Sequence, residues 1–137
     1  MTSASWSLQA AVFAALQADV TLQSLLGDPP RVFDATPPLP AFPYVVIGDD
    51  AETNWDTATE EGSEHQFEIH VWSRSGGHKE AKAIADAVRA TLDNAALSLT
   101  GHTLIGIRYL DADFTRETDG ETYRATLRFR AVTEPDS

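Results

Sequence analysis

The sequence predicts an α+β fold: a mainly antiparallel β-sheet with N-terminal helices and one long amphipathic helix packed on one face. Three observations carry that prediction. Apolar residues recur at helical spacing over 8–16 and again over 81–92, strict alternation runs through 63–74, and two long strand-like segments flank the turn sequence ETDG at 117–120. The order of helices, strands, helix and hairpin gives one sheet face to the helices and leaves the other polar.

Ser3 or Ser5 can cap a first helix in which Leu8, Val12 and Leu16 recur every four residues, with Phe13 beside them on a widened stripe. Asp19 can cap a short second helix carrying Val20, Leu22, Leu25 and Leu26, ended by Gly27 and the DPP after it. RVFDA (31–35) reads as a short strand. TPPLPAFP (36–43) holds four of the seven prolines, which excludes helix interior and central strand and leaves an extended connector. YVVIG (44–48) is nearly continuous and β-branched, as in a strand covered on both faces. Residues 49–62 carry six carboxylates and no basic residue, the composition of a solvated loop or an irregular edge strand.

In 63–74, His65, Phe67, Ile69 and Val71 point one way, and Glu64, Gln66, Glu68, His70, Trp72 and Arg74 point the other. SRSGGH then reverses the chain into a helix over 78–94, with Ala81, Ile84, Ala85, Val88 and Leu92 along one side. The last two strands form a hairpin about ETDG. On the second of them Tyr123, Ala125, Leu127, Phe129 and Ala131 face inward, and Thr122, Arg124, Thr126, Arg128 and Arg130 face out. Residues 1–133 read as a single domain and 134–137 as a flexible tail.

At 137 residues the chain has the length of one domain that buries roughly two thirds of its unfolded surface. No apolar run approaches the roughly 20 residues that cross a bilayer, so no membrane association is expected. The N-terminal segment lacks the basic start of an export signal and reads as a helix retained on the protein. Cysteine is absent, which removes disulfides, thiolate ligands and a cysteine nucleophile, and fits a reducing cytoplasm. A net charge of −11 argues against sequence-independent duplex binding, which relies on Lys and Arg neutralising phosphates.

HQFEIHVWSRSGGHKEA (65–81) is the stretch nearest to catalytic chemistry, with three of the four histidines. His65 and His70 are an odd number of residues apart on one strand and project to opposite faces, so they share no ion. A zinc site needs three or four ligands converging at about 2.0–2.2 Å, and the spacing offers no convergent pair. The expectation is a half-buried His65 and an exposed His70. The Gly-Gly turn lacks the full spacing of a phosphate loop, and no serine sits in a nucleophile-elbow sequence. The acidic stretch does not match a helix–loop–helix calcium pattern. No catalytic, cofactor or metal residue is therefore assigned. Arg124, Arg128 and Arg130 are expected to pair across strands with Glu64 and Glu68; were the strands apart, they would be free to meet acidic loops of another subunit. Trp72, on a polar sheet face, is either covered locally or presented to a partner, and Trp55 in the acidic loop invites the same question.

AFPYVVIGDD, then TATEEGSEHQFEIHVWSRSGGHKEAKAIADAVRATL, then GETYRATLRFRAVTE resemble, in that order, the phage tail completion or tail terminator family, including versions carried by phage-like gene transfer agents. The resemblance covers nearly the whole chain and contains no catalytic signature. It implies an α+β subunit that forms a six-membered ring of its own copies, caps the tail tube protein and offers its other face to the head connector. DNA would pass through the channel without specific binding. The place of action would be the virion tail or neck, after assembly in the bacterial cytoplasm. The candidate contact residues are Trp55, Asp56, Trp72, Arg74, Phe114, Arg116, Arg128 and Arg130. The rival readings are another neck or connector subunit of the same particle, and a small cytoplasmic enzyme whose polar groups converge only in three dimensions.

Overall fold

The computed structural model describes residues 3–136. Helices α1 (Ala4–Ala18) and α2 (Val20–Leu26) lead into the short strand β1 (Val32–Phe33) and then β2 (Tyr44–Asn54), β3 (Ser63–Ser73), α3 (Lys79–Leu92), β4 (His102–Arg116) and β5 (Tyr123–Pro135). The strands form one sheet in the order β1-β2-β3-β5-β4. β1 pairs with β2 in parallel, and every other pair is antiparallel.

Local chemistry explains the element ends. Ser3 caps α1 by accepting from the Trp6 amide at 3.1 Å, while Ser5 bonds Asp50 Oδ2 at 2.6 Å and ties the helix to β2. Asp19 ends α1 in extended backbone and caps α2 through the Leu22 amide at 2.9 Å. Gly27, at φ 94, takes the left-handed turn that stops α2. Gly76, at φ 88, lies in the reversal from β3 into α3.

The core lies between the sheet and the helices. Leu8, Val12 and Leu16 of α1 and Leu22 and Leu26 of α2 are buried, as are Ala81, Ile84, Ala85, Val88 and Leu92 of α3. They meet Val45 and Ile47 of β2, Phe67, Ile69 and Val71 of β3, and the inward residues of β5 from Ala125 to Ala131. Phe67 stacks on Phe129, with ring centroids 5.4 Å apart. The residues expected to face inward on β3 and β5 are all buried; of those expected to face out, Thr122 and Thr126 are buried as well, Thr122 between Arg74 and Asp119 and Thr126 against His70.

Two expectations are corrected. Phe13 is 37% exposed and Val20 74% exposed, because the helices form a single layer and nothing covers its outer side. His65 is fully buried, at 1%, since α1 covers its end of the sheet, and His70 is partly buried against Thr126 and Glu68. The acidic stretch is both of the things expected of it: its first part extends β2 to Asn54 as an irregular edge that β1 is too short to cover, and the remainder is loop. α3, 14 residues long, buries one side against the sheet, and α1 is of similar length at 15. β5 continues to Pro135, and Asp136 is bonded to Gly101 O through its amide at 3.1 Å and to Thr103 through its side chain at 2.6 Å; Ser137, the end of the expected tail, lies outside the described residues.

Candidate interaction surface

The sheet face turned away from the helices carries an ordered lattice of charges. Glu68 lies directly opposite Arg128 across the β3–β5 pair. Arg128 bonds Asp111 at 2.7 Å and Asp113 at 2.8 Å from β4 and approaches Glu68 at 3.4 Å, and these bonds, Asp111 first, hold its guanidinium well above the ordinary range. Arg130 bonds Glu64 at 2.8 Å and lies over the Trp55 ring at 4.9 Å, while Arg124 pairs with Glu117 at 3.3 Å and lies 5.5 Å over Trp72. Across the β3–β5 pair Arg130 bonds Glu64 and Arg128 approaches Glu68, as expected, because these strands are neighbours; Arg124 instead pairs with Glu117, just beyond the end of β4. Exposed pairs of this kind add little stability; their larger effect is to fix where charge sits.

At the end of the sheet near the β4–β5 turn, Trp72 stacks on Tyr44 with centroids 6.3 Å apart and is half-buried. Arg74 donates to Thr122 Oγ1 at 2.9 Å, approaches Glu121 and Asp119 at 3.5 and 3.8 Å, and covers the Phe42 ring at 4.2 Å. Asp119 accepts from the Glu121 and Thr122 amides and the Thr122 hydroxyl at 2.6–2.9 Å, which lowers its pKa to about 2, the Thr122 side chain first. Arg116 donates to Tyr123 Oη at 3.1 Å. Phe114, 38% exposed, lies on the helix side under Lys82. Trp55 is 48% exposed at the opposite end, and Asp56 closes its own loop by accepting from Gly62 N at 2.9 Å. Of the eight candidates, Trp55, Asp56 and Arg130 gather at one end of the sheet, Trp72 and Arg74 lie near the β4–β5 turn on the face away from the helices, Phe114 lies on the helix side, Arg116 bonds Tyr123 and Arg128 is central, so they form no single patch.

His65 and His70 are each engaged by a threonine of β5. His65 Nε2 contacts Thr133 Oγ1 at 2.8 Å on the core face, and His70 Nδ1 contacts Thr126 Oγ1 at 3.2 Å on the other. Among the described residues no three His, Asp or Glu side chains converge as a metal site would require. The cavity beside His65, lined by Ser5, Leu8, Val12, Ile47 and Asp50, measures about 10 Å³, room for one water and not for a substrate. Where a phosphate would sit at the start of α3, Glu80 of the first turn already bonds Ser73 at 2.7 Å.

Sequence reasoning missed the exposed apolar residues. Trp6 is 55% exposed, Leu39 99%, Ile105 57% and Leu110 46%. Ile105 and Leu110 stand at the two register shifts of β4, where alternation fails. The signal available beforehand for the others was the absence of charge: residues 1–18 and 35–48 contain no Asp, Glu, Lys or Arg.

Over residues 10–134 the chain matches the family described as tail completion protein gp17. It belongs to that family. The tail completion protein gp17 of Bacillus phage SPP1 is 30% identical over 89 residues, 65% of this chain and 66% of that protein. The tail completion fold also recurs with closer agreement in a chain of the virion of a native gene transfer agent particle, at 36% identity, TM-score 0.88, and coverage of 98% of this chain and 99% of that one. The structure of the bacteriophage SPP1 gp17 protein superposes with a TM-score of 0.65 at 27% identity, covering 93% of this chain and 89% of that chain. The family match begins inside α1 and runs to residue 134, within β5, so it includes the charge lattice and every candidate contact residue.

Proposed function

We propose that the chain is a structural subunit of a phage or phage-like gene transfer agent particle that caps the finished tail tube as a ring, six copies in number, and joins the tail to the head connector. The observation that carries this reading is the likeness, over 98% of the chain, to a protein found within a gene transfer agent virion. The chemistry agrees. Arg128 and Arg130 bond carboxylates of neighbouring strands, and His65 and His70 bond threonines of β5, so these side chains hold the sheet together. Six copies would bring six times the −11 of one chain, and a largely negative lumen lets a polyanion pass without adhering. Assembly in the bacterial cytoplasm on a completed tube, with no cofactor, follows from the same reading.

Within the ring, Trp72 and Arg74 with the nearby hairpin tip, and Trp55 with its acidic loop at the other end, are the contacts for neighbouring virion proteins. The test is a deletion of the coding sequence followed by electron microscopy of the particles. Heads unattached to tails, or tails of irregular finish, are the expected result; intact joined particles would refute the reading. Trp72→Ala in the same assay is expected to reduce joined particles, and unchanged yield would remove Trp72 from the contact set.

A further inference from the structure

α1 contains no Asp, Glu, Lys or Arg in 15 residues, within a chain of net charge −11. Leu8, Val12 and Leu16 cover the sheet, while Trp6 and Phe13 stand on the outer side, 55% and 37% exposed. A helix apolar on both sides is stable where both sides are covered. Here only one is. The sequence has three long charge-free stretches: 1–18, 35–48 and 94–107. The first and third adjoin, since Ser7 Oγ donates to Thr100 O at 2.8 Å, so the outer side of α1 borders further uncharged chain. The second holds Leu39, 99% exposed, in left-handed backbone at φ 51 and set between Pro38 and Pro40. Proline on each side limits the conformations of the segment, so Leu39 is a preformed projection that loses little freedom on contact.

We propose that Leu39 of one copy seats on the outer face of α1, at Trp6 and Phe13, of the next copy. This rests on the ring reading above and assigns it a contact. Two chains of charge −11 repel, and burying a carboxylate without a partner is costly, so a contact between copies is favoured where both sides lack acids. Neither residues 35–48 nor α1 itself carries an acid, and Asp50, which borders the α1 patch, is engaged by Ser5 at 2.6 Å. The two patches are also separate. The connector holding Leu39 is anchored by Arg31 Nε to Pro43 O at the end of the molecule where Gln17 of α1 bonds Pro30 O, whereas Trp6 lies toward the other end of α1, beside the Ser5–Asp50 bond. Different patches meeting head to tail are what a closed ring requires.

The chain has no cysteine, so introduced thiols report on this contact alone. Leu39→Cys with Phe13→Cys in one chain, oxidised in concentrated protein and within assembled particles, is expected to give a ladder of disulfide-linked copies. Either single variant alone gives none, and a mixture of the two gives linked pairs only. Linkage by one single variant alone would mean a symmetric contact and overturn the proposal. A double variant that assembles by native mass without linking would also overturn it and leave the ring intact. A chain that is monomeric at every concentration and absent from particles would remove the ring reading and this contact with it. Leu39→Asp, at an exposed site, is expected to keep the native circular dichroism and lose self-association; undiminished association would overturn the contact.

Discussion

Burial favours the neutral ring at His65. It is 1% exposed, its Nδ1 has no hydrogen-bond partner among the described residues, and Glu52 stands 3.9 Å away. Burial lowers its pKa below 6.5, against the opposing pull of Glu52 and Asp50 and with a smaller push from His102. His70 is lowered in the same direction, again by burial first. A depressed folded pKa means the unfolded chain binds more protons, so this part of the stability is complete above pH 6.5 and is lost as pH falls through the folded value. Thermal unfolding midpoints are expected to drop as pH is lowered through 6.5, and His65→Gln should flatten that slope; an unchanged slope in the variant would show the burial of His65 to be irrelevant. Gly48 offers a second test. A Cβ there would lie 2.5 Å from the His70 ring and 3.2 Å from Glu68 O. Gly48→Ala is expected to cost about 1–3 kcal/mol by overpacking, and His70→Ala should recover part of that in a double-mutant cycle of denaturant midpoints.

At the scale of elements, α3 and the β4–β5 hairpin carry different loads. Ile84 is fully buried where α3 meets the sheet, and Ile84→Ala is expected to cost about 2–5 kcal/mol, read as a lower denaturant midpoint with unchanged m. The hairpin tip depends instead on Asp119, which gathers the Glu121 and Thr122 donors. Asp119→Ala is expected to speed amide exchange at those two residues while leaving core protection unchanged. Loss of protection in β3 as well would mean that the tip and the sheet open together.

Across the whole molecule, charge decides how copies approach one another. With −11 on each chain, self-association is opposed by a repulsion that salt shortens. Raising ionic strength from about 0.1 to about 1 M cuts the screening length from about 10 to about 3 Å, so sedimentation should report greater mass at high salt. The opposite trend would mean that copies meet through ion pairs, and the arginine lattice would then face a neighbour.

The class of fold, the strand faces and the core side of α3 were legible in the residues, because burial on one side of a strand or helix imposes a period that the sequence must carry. Leu8, Val12, Leu16, Phe67, Ile69, Val71 and the inward residues of β5 are found where that period puts them. The family was legible too, from the order of its segments. Strand order, the partners of Arg124, Arg128 and Arg130, and the depth of His65 were decided by tertiary structure, since each depends on which distant strand or helix lies alongside. The same holds for Phe13 and Val20: an apolar residue on a helix gives no sign of whether the layer that would cover it belongs to its own chain.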